Sequence, residues 1–318
     1  MNNNYLDTVR LLIDIAPPVF DTDKFAMKGG TAINLFLQDL PPLSVDIDVV
    51  FTDHTMQRDE ALQSISNELA RSKAAIEKMG YEANFTKVGA KGKIKGDDVK
   101  LTAISAESAV KVEVNYVFRG TLLRPDMLEL VPKAQGLFNK SISVPVLQKA
   151  ELYGSKLVAA LDRQHSRDIF DVLHCYEMFG LRGDFVDCFV GYLAGHNRPT
   201  HEVLFPRQKD LAESYGEFVG MTTEEVSIGS LIAVQERLHK ELPAALTQAH
   251  RDFLISFVRA EPDWSLMPAF PHLKDMPAIR WKLHNLTKLR DDKDARFAEQ
   301  EKLLRERFVS LDAATTAS

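Results

Sequence analysis

The stretch MKGGTAINLFLQDLPPLSVDIDVVF, from Met27 to Phe51, joins a glycine pair, a helix-like segment and an acidic, strand-like segment. Gly29 and Gly30 permit a tight turn and close approach of a ligand to the backbone. The residues from Thr31 to Leu37 have helical apolar spacing. Thr31 is therefore expected to open a helix whose first amide groups face an anion. A plain turn between a strand and a helix would contain the same glycine pair.

Two aspartates lie one residue apart in SVDIDVV, within a strand expected from Val45 to Phe51. Side chains alternate between the faces of a strand, so Asp46 and Asp48 should share one face while Ile47 points to the core. Adjacent carboxylates repel each other unless a cation lies between them, and Mg²⁺ prefers such oxygen ligands. The same pattern also occurs on solvated strands, so it does not identify a metal site by itself.

A second strand, expected from Ala109 to Phe118, carries Lys111, Glu113 and Asn115 on one face. If it lies beside the aspartate strand, Glu113 becomes a third carboxylate, either a base or a metal ligand. The alternative is a half-exposed residue paired with Lys111. A glycine turn, a helix and two aspartates in this order would place an anion site beside a metal site. Nucleotidyl transfer from a nucleoside triphosphate requires this arrangement.

The segment GSKLVAALDRQHSRDIFDVL, from Gly154 to Leu173, combines basic and acidic side chains on predicted helices. Lys156 is suited to hold a phosphate group as a point charge. Asp168 and Asp171 are three residues apart and share a helix face. Asp168 could position Lys156, Arg163 or a substrate hydroxyl. The alternative is a salt-bridge network that joins two helices.

Two further basic stretches allow more than one interpretation. KVGAKGKIKGDDVK, from Lys87 to Lys100, is either a flap that contacts phosphate or a solvated hairpin loop. RWKLHNLTKLR, from Arg280 to Arg290, flanks Trp281 with basic side chains. It could contact an RNA backbone and a stacked base, or combine core packing with a solvated basic face.

Composition limits the function classes. The 318 residues carry a net charge of −6, which argues against a protein that only coats nucleic acid. Two cysteines are too few for a disulfide scaffold or a zinc cluster. No apolar run has the length of a membrane span, and the N-terminus lacks a signal-peptide pattern. We therefore expect a cytoplasmic protein with no membrane partner.

The pattern of elements changes along the chain. Up to about residue 144 helices and strands alternate, beginning with a helix from Tyr5 to Ile15 that Pro17 and Pro18 are expected to end. From residue 145 onward the pattern is almost entirely helical. The sequence therefore predicts an α+β protein with two domains, residues 1–144 and 145–318.

These motifs resemble those of the AbiEii/AbiGii-type, MenT-like nucleotidyltransferase toxins of type IV-like toxin–antitoxin and abortive-infection systems. Four segments carry the resemblance, in the order found in the family: KGGTA at 28–32, SVDID at 44–48, KVEVN at 111–115 and KLVAALDRQHSRDIFD at 156–171. They cover about the first 170 residues, and the helical remainder resembles the family only in general character.

The resemblance implies a DNA-polymerase-β-like nucleotidyltransferase domain with a mixed sheet, followed by a largely helical domain that contributes Lys156 and Asp168 to the active site. It implies that Asp46 and Asp48 bind Mg²⁺ and that Glu113 is the third catalytic carboxylate. Residues expected to bind the nucleotide are Lys28, Gly29, Gly30, Thr31, Ser44 and Lys156.

The activity implied by the resemblance is that of a toxin that transfers a nucleoside monophosphate from a nucleoside triphosphate to RNA. The favoured acceptor is the 3′ end of tRNA, and a cognate antitoxin would be the protein partner. A small molecule or a protein hydroxyl is the alternative acceptor, and a non-enzymatic nucleotide-binding module is a third possibility. Asp46→Ala or Lys156→Ala is expected to abolish transfer while leaving the fold intact.

Overall fold

The computed structural model describes residues 3–38, 45–87, 99–222, 225–292 and 295–316. These residues fall into two compact units, Met1–Lys149 with Met221–Thr223 and Ala150–Gly220 with Glu224–Ser318. The described strands are β1 Phe25–Lys28, β2 Ile47–Phe51, β3 Glu82–Lys87, β4 Val99–Ile104, β5 Ala109–Asn115, β6 Asp126–Glu129 and β7 Ser143–Val146. The described α-helices are α1 Asn3–Phe20, α2 Gly29–Ala32, α3 Arg58–Lys78, α4 Pro132–Phe138, α5 Lys149–Arg163, α6 Ser166–Met178, α7 Gly183–Ala194, α8 Thr200–Leu204, α9 Ala212–Phe218, α10 Ile228–Ala244, α11 Gln248–Val258, α12 Pro277–Asp291 and α13 Ala295–Thr316.

The first unit is built on a mixed sheet of seven described strands in the order β3-β4-β5-β2-β1-β7-β6. The pairs β2–β5 and β1–β7 are parallel, and the other neighbouring pairs are antiparallel. Helices α1 and α3 pack against this sheet and against each other. The α+β class expected from the sequence is confirmed.

Alternation along the central strands separates apolar from charged side chains. Met27, Ile47, Val49 and Val112 are fully buried. Asp48 lies between Ile47 and Val49 and therefore points to the other face of the sheet, where it is half-buried. The sheet thus has an apolar core face and a face that bears charge near the middle of its central strand.

Helix α1 continues past the point where the sequence predicts its end. Pro17 and Pro18 lie inside the helix, which ends at Phe20. A proline removes a backbone donor and weakens a helix. Here Val19 is 0% and Phe20 6% exposed, so burial of the last turn outweighs that loss. The expectation that the helix stops at Ile15 was wrong.

Both strands that carry the acidic residues are shorter than the sequence predicts. Strand β2 begins at Ile47 rather than Val45, because the main-chain oxygen of Asp46 accepts a hydrogen bond from the Thr31 hydroxyl at 2.7 Å. Strand β5 ends at Asn115 rather than Phe118. The Asn115 side chain accepts hydrogen bonds from the amides of residues 117 and 118 and turns the chain.

The second unit is helical in the part that the structure describes. Helix α6 packs against α9 and α10, and α11 packs against α7 and α13. Tyr153 stacks on Phe185 with ring centroids 5.1 Å apart, and Phe179 contacts both rings. None of the described helices is both long and apolar enough to cross a membrane.

Candidate active site

Gly29 brings the backbone directly beneath the carboxylate of Asp48. It has a φ of +83°, which residues with a side chain rarely adopt. A Cβ atom placed on Gly29 would lie within 3.0 Å of three side-chain atoms of Asp48, its Oδ2, Cγ and Cβ. Glycine is therefore required here both by the backbone conformation and by the position of the acidic side chain.

Three charged residues lie side by side across neighbouring strands. Asp48 on β2 is in register with Lys28 on the antiparallel strand β1 and with Glu113 on the parallel strand β5. Residues in register share a face of the sheet. All three are half-buried. The structure therefore brings Glu113 beside Asp48, the adjacency on which its catalytic assignment depends.

Glu113 has a cationic partner on the next strand. Its Oε1 lies 2.5 Å from the Nζ of Lys100 on β4. The sequence suggested Lys111 as the partner, but Lys111 is exposed and lies opposite Thr102. The antiparallel register of β4 and β5, which alternation alone does not fix, brings Lys100 to Glu113. Four charged side chains therefore lie in a row across the adjacent strands β1, β2, β5 and β4: Lys28, Asp48, Glu113 and Lys100.

Asp46 and Thr31 join the turn after β1 to the start of β2. Asp46 lies in a bend just before β2 and is half-buried. Thr31 is fully buried, and its hydroxyl donates to the Asp46 carbonyl group. Helix α2 begins at Gly29, and Gly30 follows as its second residue. The expectation that Thr31 opens the helix was wrong, because its side chain connects α2 to the acidic segment instead.

The residues at this turn fit a hard divalent cation. Asp46 and Asp48 offer oxygen ligands, the type that Mg²⁺ prefers, and the absence of a side chain on Gly29 leaves room for the Asp48 carboxylate on that side. Within the described ranges no three His, Cys, Asp or Glu side chains form a group that could hold a metal ion. A protein carboxylate pair would then supply part of the coordination, and substrate phosphates and water the rest.

Lys156 and Asp168 belong to a buried ion cluster within the helical unit. The Nζ of Lys156, on α5, lies 2.6 Å from Oδ2 of Asp171 and 3.3 Å from Oδ1 of Asp168, both on α6. Arg163 reaches the same Oδ1 of Asp168 through its Nη2 at 2.7 Å. Lys156 and the two aspartates have side chains that are 10% exposed or less. Asp168 thus positions both Lys156 and Arg163.

The charges in this cluster depend on each other. Burial alone would lower the pKa of Lys156, but the carboxylates of Asp171 and Asp168 outweigh it and raise that pKa to about 12. Burial would raise the pKa of Asp168, but Lys156 and Arg163 hold it below its ordinary value. Burial raises the pKa of Asp171, whose Oδ1 has no hydrogen-bond partner among the described residues. Lys156 therefore carries a positive charge that its neighbours already balance.

Two expectations fall on residues outside the described ranges. The first is that Ser44 binds the nucleotide. The second is that the basic stretch from Lys87 to Lys100 forms a flap or a hairpin loop, and most of that stretch lies outside the described ranges. Of that stretch, Lys100 is described and contacts Glu113.

Comparison with known proteins connects this geometry to a family. The family model for the nucleotidyl transferase AbiEii toxin, type IV toxin–antitoxin system, matches residues 10–285. Among solved structures, the chain is similar to MenT4, a nucleotidyltransferase toxin of Mycobacterium tuberculosis. The TM-score is 0.58 with 15% sequence identity, over 90% of this chain and 95% of that one, so this likeness shows the fold. No curated protein matches the chain.

The family model extends from helix α1 into helix α12 and covers the glycine turn, the acidic strands and the buried ion cluster. Membership implies a nucleotide substrate and a cognate antitoxin. The chain is a nucleotidyltransferase that belongs to the AbiEii toxin family of type IV toxin–antitoxin systems.

Proposed function

We propose that this enzyme transfers a nucleoside monophosphate from a nucleoside triphosphate to the 3′ hydroxyl of an RNA, with the acceptor end of tRNA as the favoured target. One observation carries the proposal: Asp48 lies against Gly29 and in register with Lys28 and Glu113. In this arrangement the Gly29 backbone lies close to Asp48, the Asp48 carboxylate can bind a cation, and the Glu113 carboxylate lies beside it.

The reaction needs a nucleophile, a charge-stabilised phosphate and a leaving group. The 3′ oxygen forms a bond to the α-phosphorus, the bond from that phosphorus to the bridging oxygen breaks, and pyrophosphate leaves with the bonding electrons. Mg²⁺ held by Asp46 and Asp48 would offset phosphate charge and polarise the α-phosphate. Glu113 is the neighbouring carboxylate that can accept the hydroxyl proton, and Lys100 restricts its orientation.

The nucleotide contacts extend the proposal. Lys28 and the backbone of Gly29, Gly30 and Thr31 bind the triphosphate, with Ser44 as a further contact. We assign Lys156 to a phosphate contact and Asp168 to holding Lys156 in place.

The test compares Asp48→Asn with the wild-type enzyme, using each of the four labelled triphosphates with Mg²⁺ and total RNA. The amide keeps the shape of the carboxylate but loses its charge, so incorporation should fall on the order of 100-fold or more. Asp59→Asn is the matched control, because the Asp59 side chain is 97% exposed on α3. Its incorporation should equal that of the wild type.

The identity of the labelled product decides the acceptor. Label at the 3′ end of tRNA supports the proposal. Label in protein or in a small molecule would keep the transfer chemistry and refute the RNA acceptor. Mg²⁺-dependent binding of a triphosphate without turnover, with every acceptor offered, would favour a non-enzymatic module.

A further inference from the structure

The outer side of α12 carries a basic and aromatic surface that the proposed chemistry does not use. Five exposed residues form it, which we call the α12 outer face: Arg280, Trp281, His284, Asn285 and Lys288. Their spacing of one, three, four and seven residues places them on one side of a helix. The residues on the other side of α12 are buried, among them Ala278, Ile279, Lys282 and Leu286.

Trp281 is the most informative member of this face. Its side chain is 55% exposed, although a tryptophan usually buries most of its area. The imidazole ring of His284 lies beside it, with ring centroids 6.0 Å apart and planes inclined by 29°. The other tryptophan, Trp264, packs against Phe253 and Phe257. Of the two tryptophans, Trp281 is therefore the one that presents its ring to an external ligand.

The two cations of the face carry charge that the described residues do not balance. Neither Arg280 nor Lys288 forms an ion pair with a carboxylate in the described part of the chain, whereas Arg290 on the same helix meets Glu261 at 3.5 Å and Asp291 at 3.6 Å. Arg280 and Lys288 are eight residues apart, which is about 12 Å along a helix. They can therefore meet different phosphates of one strand.

Lys282 fixes the helix rather than joining the exposed face. Its Nζ donates to the carbonyl groups of Asn197 and Arg198 at 3.2 and 2.8 Å. Burial lowers the pKa of Lys282 to about 8. The sequence grouped Lys282 with the RNA-contacting cations, and its burial removes it from that group. Lys282 therefore holds the inner side of α12 against residues 197 and 198, and the α12 outer face remains exposed.

We propose that the α12 outer face binds single-stranded RNA, with an unpaired base stacked on Trp281 and phosphates held by Arg280 and Lys288. This inference rests on the RNA acceptor of the proposed function and adds a site for it. Aromatic stacking combined with phosphate-binding cations is how proteins hold single strands. A chain with a net charge of −6 needs such a local cationic surface to approach RNA.

The test measures binding of a fluorescein-labelled 12-nucleotide oligouridylate by anisotropy. It uses the full chain with Asp48→Asn, so that binding is measured without turnover. Trp281→Ala should weaken binding about tenfold or more through lost stacking, and Trp281→Phe should restore much of it. Lys302→Gln is the control, because Lys302 is 73% exposed on another helix, α13. It should bind like the parent.

The salt dependence separates the two kinds of contact. Arg280→Gln and Lys288→Gln should each make the negative slope of log K against log salt shallower by about 0.7. Trp281→Ala should leave that slope unchanged. Equal affinity of Trp281→Ala and its parent, or unchanged slopes in both cation variants, would overturn the proposal.

A second measurement covers the case in which Trp281→Ala fails to fold. In a Trp264→Phe protein the only indole is Trp281, and oligouridylate should quench its fluorescence. Absence of quenching contradicts the site. If Trp281→Ala instead escapes its antitoxin while binding RNA normally, the face docks a protein and the inference is wrong.

The failure of this inference is distinct from the failure of the proposed function. In a transfer-competent chain, Trp281→Ala should raise KM for RNA several-fold while KM for the triphosphate and kcat stay unchanged. RNA transfer by a Trp281→Ala enzyme with unchanged KM refutes only the inference. Absence of RNA transfer by the wild-type enzyme refutes the proposed acceptor.

Discussion

Asp48 decides whether residue 29 can carry a side chain. The identity of residue 29 is fixed by a contact with residue 48, 19 positions along the chain, as well as by its own backbone angle. From the sequence, a glycine pair before a helix indicates only a turn. That its first member lies against the acidic strand is a property of the antiparallel pairing of β1 with β2.

We predict that Gly29→Ala removes nearly all transfer activity. The added methyl group must displace the Asp48 carboxylate and also takes up a left-handed backbone conformation that costs about 1–2 kcal/mol. Gly80→Ala is the matched control, since Gly80 has a φ of +91° with nothing within 4 Å of an added Cβ atom.

Thermal melting and nucleotide incorporation should be measured on both variants. Gly80→Ala should show the backbone cost alone, with a slightly lower Tm and wild-type activity. If Gly29→Ala retained activity at the level of Gly80→Ala, the contact with Asp48 would have no role in transfer.

At the scale of single elements, helices α5 and α6 are joined by charge as well as by apolar packing. Lys156, Arg163, Asp168 and Asp171 connect the two helices across a short turn. The sequence allowed two interpretations, a phosphate ligand or a salt-bridge network, and the network is present. Removal of Lys156 is therefore expected to lower the stability of the fold. The sequence instead led us to expect a loss of activity with the fold intact.

We predict that Lys156→Met lowers the free energy of unfolding by about 3–5 kcal/mol, because it leaves two buried carboxylates without their shared cation. Lys302→Met removes an exposed lysine 3.8 Å from Glu306 on α13 and should cost less than about 1 kcal/mol. Urea unfolding measures both.

Transfer by Lys156→Met should then be assayed at a temperature where the variant remains folded. Lost incorporation under those conditions supports the phosphate contact, whereas full incorporation would limit Lys156 to a structural role. A Lys156→Met protein as stable as the wild type would contradict the importance of the ion cluster.

The elements show how far sequence patterns reach. Alternation found the acidic strands β2 and β5, and helical spacing found α1, because each has one buried face. The short strands β6 and β7 and helix α4 were missed, since four-residue strands and a seven-residue helix carry too little periodicity. The residues from Ile33 to Leu37 form a π-helix rather than an α-helix, a distinction that apolar spacing cannot make.

Site prediction had a similar limit. Residue types and order in the chain were enough to nominate Asp46, Asp48 and Glu113, although Asp46 lies in the bend before β2 and not in the strand that alternation predicted. The partners Lys100 and Asp171 depend on strand register and on helix packing, which involve distant segments. The buried pairing of Lys156 could not be read from the sequence for the same reason.

At the scale of the whole molecule, apolar packing stabilises the part of the chain that the structure describes. That part contains no group of three metal-ligating side chains, and its core is assembled from apolar residues of the sheet and helices. A cation held by two carboxylates and substrate therefore contributes little to stability when substrate is absent.

We predict that EDTA abolishes transfer and changes Tm by no more than about 2 °C. Nucleotide incorporation and circular dichroism melting should be followed on the same sample, and Mg²⁺ in excess should restore activity. A large fall in Tm on chelation would show that a divalent ion holds the fold together, and transfer that persists in EDTA would refute the metal dependence.

The parallel pairing of β1 with β7 governs when the sheet can close during synthesis. Met27 pairs with Val146 and accepts a hydrogen bond from the amide of Leu147 at 3.0 Å. Until the ribosome has delivered that segment, β1 has an open outer edge that can pair with other chains. A nascent polypeptide that ends before Val146 would keep the outer edge of β1 unpaired. Premature termination should therefore yield insoluble fragments rather than a shortened, active enzyme.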